Sequence, residues 1–105
     1  MNVTFETRRL YVAARKSALF FAKVGYQRIR CYVLQDALVD TVSGLRDEAD
    51  LYQRCLLSFD QHRDAIQAAA LRLIEASVLT ADGAVIVSRT ALALEASPSL
   101  SALDS

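Results

Sequence analysis

The sequence predicts a small α+β domain: an antiparallel sheet built on a central β-hairpin, with a short helix and a long helix packed on one face. Apolar and polar residues alternate along residues 28–33, which is the period of a half-buried strand. Between Tyr52 and Leu73 apolar residues recur at spacings of three and four, which is the period of an amphipathic helix. A chain of 105 residues can bury a core without disulfides or metal.

The central hairpin is predicted from Ala18 to Leu34. Gly25 can adopt a positive φ, so Gly25-Tyr26 suits a two-residue turn with glycine first. The turn sets a register with four apolar-face pairs: Val24 with Gln27, Ala22 with Ile29, Phe20 with Cys31, and Ala18 with Val33. A slip of one residue would mix the two faces, so the pattern itself favours this register. Lys23 opposite Arg28 is an unfavourable like-charge pair.

Weaker signals flank the hairpin on its N-terminal side. Residues 3–5 alternate and predict a short edge strand, whereas residues 8–16 fit either a turn or a short helix lying over the sheet. After the hairpin, Asp36 can cap a short helix with a stripe of Leu34, Leu38 and Val42, which Gly44 would end.

The long helix is expected from Asp47 to about Ser77. Its stripe consists of Tyr52, Cys55, Phe59, His62, Ile66, Ala69 and Leu73. We expect a bend or interruption at residues 58–60, where Asp60 could cap a second helix. The core should therefore join Phe20, Ala22, Ile29, Cys31 and Val33 of the hairpin to Leu38, Val42, Cys55, Phe59, Ile66, Ala69 and Leu73.

The C-terminal part contains one further strand. Residues 81–83 form a turn signal, and residues 84–88 are β-branched and short, which favours a strand that pairs with the hairpin. Residues 90–96 fit a short helical turn. We therefore expect a single domain at 1–90 and a tail at 91–105, with residues 97–105 disordered.

Charge is divided unevenly along the chain although the formal net charge is zero. Residues 1–35 contain seven basic side chains and one acidic one, a net charge of +6, and the remainder carries −6. The two cysteines, Cys31 and Cys55, fall on predicted core faces and are expected to be reduced thiols. With no apolar run long enough to span a bilayer and no export signal, we expect a cytoplasmic protein.

The sequence predicts no catalytic, cofactor or metal residues, and hence a protein that is not an enzyme. His62 lies on the helical stripe and is expected to be a packed structural histidine, with no second ligand at metal spacing. A Cys31–His62 nucleophile pair lacks any oxyanion device. The acidic run Asp36, Asp40, Asp47, Glu48 and Asp50 is expected to cap helices and to face solvent.

The hairpin's second face is the candidate interaction site. We name it the hairpin outer face; it consists of Leu19, Phe21, Lys23, Arg28, Arg30 and Tyr32. This face could be covered by residues 6–16 or solvated, could bind a second copy or another protein, or could bind nucleic acid through interleaved basic and aromatic side chains. A non-enzymatic protein-interaction or self-associating module is the leading hypothesis, and a nucleic-acid-binding accessory protein is the alternative.

Several residues also carry a family resemblance. They are Phe20, Ala22, Gly25, Ile29, Cys31, Tyr32 and Val33 in the hairpin, Ala37 and Leu38 after it, Phe59, Arg63 and Ile66 in the long helix, and the final short strand. In this order the sequence resembles the domain-of-unknown-function family 1488, a group of small proteobacterial proteins, over roughly residues 2–88. The resemblance implies a compact α+β domain with no established activity, and it supplies no functional residues.

Overall fold

The computed structural model describes residues 2–39 and 48–96. The chain forms β1 (Val3–Val12), a 3₁₀ turn (Ala13–Arg15), β2 (Ser17–Val24), β3 (Gln27–Leu34), α1 (Gln35–Leu38), α2 (Glu48–Gln61), α3 (Arg63–Glu75), β4 (Val85–Val87) and α4 (Arg89–Ala96). The four strands form one sheet in the order β1-β2-β3-β4. The predicted α+β class is confirmed.

The hairpin of β2 and β3 has the predicted register throughout, from Val24 opposite Gln27 to Ser17 opposite Leu34. Gly25 adopts a φ of 62°, and Tyr26 stays at negative φ, as expected for a two-residue turn with glycine in the first position. The turn geometry and the alternating faces therefore specify the same pairing.

The strand predicted at residues 3–5 is much longer in the structure. β1 continues to Val12 and pairs antiparallel with β2, and only Ala13–Arg15 are helical. The register shifts between Phe5 and Arg9, so the strand contains a bulge. The bulge interrupts the two-residue alternation, which is why the pattern did not reveal one continuous strand.

The last strand joins the sheet in parallel. β4 pairs with β3 through Cys31–Val85, Tyr32–Ile86 and Val33–Val87. Its preceding turn places Gly83 at a φ of 81°, in agreement with the turn signal. The predicted helical turn at residues 90–96 is α4, whose Leu92 is buried in the core. The division into a domain at 1–90 and a tail stays a prediction, and residues 97–105 lie outside the described residues.

The long helical segment is interrupted, but not where a cap was predicted. Asp60 lies inside α2, and the break falls at His62, between α2 and α3. His62 has a φ of −115°, and its side chain provides no cap hydrogen bond. Asp60 instead binds Arg9 and Arg63, which is a more favourable use of its carboxylate than a cap inside a continuous helix. The predicted short helix corresponds to α1, which ends at Leu38. Val42 and Gly44 lie outside the described residues.

The helices cover one face of the sheet. Their buried side chains are Leu38, Cys55, Phe59, Ile66, Ala69, Ala70, Ile74 and Leu92, and they form one cluster with Ala18, Phe20, Ala22, Ile29, Cys31, Val33, Val85 and Val87. Phe59 lies 5.3 Å from Phe20 between ring centroids, and Tyr11 stacks on Tyr52 at 4.3 Å. The predicted core is confirmed for every described member, with Leu73 packed at its margin.

Candidate interaction face

The opposite face of the sheet lacks a helical layer among residues 2–39 and 48–96. Phe21 and Tyr32 point to this side and do not belong to the cluster that holds the helices. The strand register also aligns four apolar residues across the whole sheet: Leu10, Leu19, Tyr32 and Ile86. We call this set the outer row. It extends the hairpin outer face onto β1 and β4.

Phe21 is covered by the side chain of Arg28. The guanidinium carbon lies 3.7 Å from the ring centroid, which is a close cation–π contact. The same guanidinium donates two hydrogen bonds to Glu6, at 2.8 and 2.9 Å. Lys23, the cross-strand neighbour of Arg28, also lowers the pKa of Glu6, so this one carboxylate offsets the like-charge pair expected from the register.

Tyr32 is covered in a similar way by Arg15. The Arg15 guanidinium carbon lies 4.6 Å from the Tyr32 ring centroid. One oxygen of Asp82 accepts from Arg30 at 3.4 Å and lies 3.9 Å from Arg15. The other carboxylate oxygen accepts from the Thr80 hydroxyl, which fixes Asp82 to its turn.

These contacts give the hairpin outer face a defined burial pattern. Phe21 and Tyr32 are only 8% and 4% exposed, whereas Lys23, Arg28 and Arg30 are exposed and Leu19 is half-buried. The 6–16 segment therefore does not fold over this face, because β1 lies in the sheet; its Arg15 covers Tyr32, and its Glu6 holds the Arg28 guanidinium over Phe21. Leu10 stays 39% exposed.

Positive charge predominates on this surface. Arg8, Arg15, Lys23, Arg28 and Arg30 provide five cations, and Glu6 and Asp82 provide two anions. The hydrogen bond from Arg28 lowers the pKa of Glu6, and the hydrogen bond from Thr80 lowers the pKa of Asp82, with smaller contributions from Arg30 and Arg15. Both carboxylates are therefore ionised at neutral pH and leave a net surplus of positive charge.

Sequence reasoning found the six hairpin residues but missed the rest of the surface. Glu6 and Arg15 could not be placed while β1 was unrecognised beyond residue 5. Leu10 and Ile86 become neighbours of the hairpin only through pairing with strands that are distant in sequence or separated by a bulge. One signal was available: Glu6 is the sole acid among the first 35 residues, which makes it a natural partner for a hairpin arginine.

The hypothetical Cys31–His62 pair is not assembled. Cys31 is fully buried, and its desolvation raises the pKa of the thiol to about 12. His62 was expected to be packed, and that expectation is wrong: it is exposed, because the helix break takes it off the buried stripe. Its Nδ1 lies 3.0 Å from the Ser58 carbonyl, to which it donates.

Acidic residues form no metal centre in the described parts of the chain, where no group of three potential ligands could hold an ion. Asp36 lies in the first turn of α1, and Asp50 is exposed on α2. Asp40 and Asp47 lie outside the described residues, as does the side chain of Glu48. An open concavity of about 510 Å³ includes His62, Asp64 and Glu95, but Glu95 is paired with Arg72.

Comparison with known proteins identifies the family. The family described as "Protein of unknown function (DUF1488)" matches residues 3–87. The chain belongs to the DUF1488 family. A crystal structure of a DUF1488 protein of unknown function from Shewanella loihica is similar to it, with a TM-score of 0.67 and 22% identity over 83% of this chain and 94% of that chain. At this identity the likeness shows a shared DUF1488 fold, and no curated protein matches the chain.

The resemblance drawn from the sequence is therefore confirmed, and the family carries no characterised activity. Among the helices that the structure describes in this DUF1488 chain, none is both long and apolar enough to cross a membrane.

Proposed function

We propose that this protein is a non-enzymatic interaction module that buries the exposed part of the outer row, at Leu10, Leu19 and Ile86, against another protein. The observation that carries the proposal is the row itself: Leu10, Leu19, Tyr32 and Ile86 cross all four strands on the face that receives no described helix. Apolar side chains flanked by arginines and an aromatic residue are typical of protein interfaces.

The alternative, a nucleic-acid-binding accessory protein, has less support. Base stacking requires an open aromatic face, but Phe21 and Tyr32 are each covered by a guanidinium and are nearly buried. Arg28 also makes two short hydrogen bonds to Glu6, so it is already neutralised. A phosphate chain would have to displace these contacts.

Site-specific photo-crosslinking in the native cell tests the proposal. A photoreactive residue replaces Leu10, which is 39% exposed in the outer row, and in a matched control it replaces Leu57, which is 52% exposed on α2. We expect a discrete protein adduct from position 10 and none from position 57. Leu19→Lys in the same chain should remove the adduct, because it puts a charge in the centre of the row.

Light scattering of the purified chain then determines whether the adduct contains a second copy. A purified oligomer whose position 10 crosslinks to itself would make the module self-associating. Equal adduct patterns from positions 10 and 57, or an adduct unaffected by Leu19→Lys, would contradict the proposal.

A further inference from the structure

The arginines of the outer face are not equally well paired. Arg28 binds both oxygens of Glu6 at 2.8 and 2.9 Å, and on the helical side of the sheet Arg9 binds both oxygens of Asp60 at 3.0 and 2.9 Å. These are the short, two-point contacts that a guanidinium favours with a carboxylate. The distances and number of contacts in the remaining ion pairs can be compared with these two.

The contacts of Arg15 and Arg30 with Asp82 are longer and fewer than in these two pairs. Arg15 and Arg30 share a single oxygen, Oδ2, and each approaches it with one nitrogen, at 3.9 and 3.4 Å. Both arginines are about half exposed, at 47% and 50%. Within residues 2–39 and 48–96, the two guanidinium groups are thus directed at one point, and each contacts it with a single nitrogen, beside the buried ring of Tyr32.

We propose that Arg15 and Arg30 form a carboxylate-binding pair that receives an acidic side chain from the partner protein, and that Asp82 occupies the pair in the free protein. The inference rests on the proposed function and names the chemistry of the partner: an acidic segment with apolar side chains next to the outer row. Asp82 acts as a weak internal competitor because the Thr80 hydroxyl holds its second oxygen away from the arginines.

Charge complementarity selects this partner over a second copy docked face to face. If two copies docked with these faces together, the surplus of positive charge on each face would meet the same surplus on the other copy across the two-fold axis. A carboxylate also matches the group already present between the two arginines. An acidic protein segment satisfies both requirements, whereas the bases of a single-stranded nucleic acid would lack open aromatic faces on which to stack.

Fluorescence anisotropy of labelled poly-glutamate with the full-length protein in low-salt buffer tests the pair. Arg15→Gln combined with Arg30→Gln should weaken binding at least about tenfold, the scale of losing charge-assisted hydrogen bonds. The matched control, Arg54→Gln with Arg72→Gln, removes two exposed cations elsewhere and should retain most of the affinity. Circular dichroism of each variant verifies that it is folded.

Asp82→Asn provides the sharper test. Asparagine keeps an acceptor for the Thr80 hydroxyl but removes the competing charge, so poly-glutamate binding should strengthen several-fold. Failure of both the wild-type protein and Asp82→Asn to bind would overturn the inference, as would equal losses in the two double variants. Tighter binding of labelled oligo-thymidylate, lost with Arg15 and Arg30, would assign the pair to phosphate instead.

The result separates the inference from the proposed function. If position 10 still crosslinks to a protein while poly-glutamate binding is absent, the interaction module stands and the carboxylate pair fails. If neither an adduct nor binding is observed, both fail.

Discussion

At the residue scale, Phe59 is the side chain on which the inner core most depends. It is fully buried, lies 5.3 Å from Phe20 between ring centroids, and contacts the Arg63 guanidinium on another side. Phe59→Ala should lower the free energy of unfolding by roughly 3–5 kcal/mol, because the cavity has well-packed walls. Urea denaturation measures this, and a change below about 1 kcal/mol would show that the site collapses around the smaller residue.

The two thiols illustrate how burial controls reactivity. Burial raises the pKa of both Cys31 and Cys55, and the thiolate is the reactive form. In native buffer at pH 8 an aromatic disulfide reagent should therefore titrate neither thiol, and in denaturant it should titrate both. Rapid reaction of the native protein would place at least one thiol at the surface.

At the scale of elements, the β1 bulge and the helix break are tied together. Asp60, two residues before the break at His62, binds Arg9 of β1 through both oxygens, and Arg63, just after the break, donates to Asp60 and to the Thr7 carbonyl. One carboxylate thus connects the sheet edge to α2 and α3.

A double-mutant cycle on Arg9→Ala and Asp60→Ala should give a coupling energy of about 1 kcal/mol, the upper range for partly exposed pairs. We expect a coupling energy at the top of that range because the Arg9 guanidinium contacts both oxygens of Asp60. Chemical denaturation of the four proteins measures it, with Arg54→Ala replacing Arg9→Ala as the uncoupled control. Strictly additive losses would mean that the contact contributes nothing to stability.

The helices and strands differ in how well the sequence alone predicts them. The hairpin was predicted pair by pair, because a glycine turn and two alternating strands are local signals. The apolar stripe predicted the positions of α2 and α3. It wrongly included His62, because a regular spacing of three and four assumes an uninterrupted helix. The full length of β1 was not predicted because its bulge interrupts the alternation of apolar and polar residues. The parallel β3–β4 pairing joins residues more than fifty positions apart, and a local sequence pattern contains no information on such a pairing.

The residues of the candidate site also divide into those that a local sequence pattern predicts and those that it does not. Its six hairpin residues share one strand-pair face, so they could be named from alternation alone. Glu6, Arg15 and Asp82 are brought to them by β1, by the 3₁₀ turn and by the loop before β4. The charges that decide what the face can bind were therefore visible only in the folded chain.

At the scale of the whole molecule, acid should destabilise the fold through its paired carboxylates. Hydrogen bonds from Arg28, Arg9 and Thr80 lower the pKa values of Glu6, Asp60 and Asp82 respectively, below their ordinary values of 4.5 and 3.8. The unfolded chain then binds protons first as the pH falls. Stability from these groups is complete above the ordinary values and is lost as the pH falls through the lowered ones.

Urea midpoints between pH 7 and about pH 2 measure this dependence. The triple variant Glu6→Gln, Asp60→Asn and Asp82→Asn should show a flatter decline below about pH 4.5, because three of the proton-linked groups are gone. An unchanged slope would assign acid sensitivity to other carboxylates.

The position of β4 has a consequence for how the chain reaches its native state. The β2–β3 pairing closes across two residues, whereas β4 meets β3 only after both long helices have been traversed. Closing a short loop costs far less chain entropy than closing a long one, so the hairpin should form early and β4 late. Asp82 precedes β4 and would reach Arg15 and Arg30 in that same late step. A newly made chain would therefore pass through a stage in which the hairpin is already paired and Arg15 and Arg30 have no internal carboxylate between them.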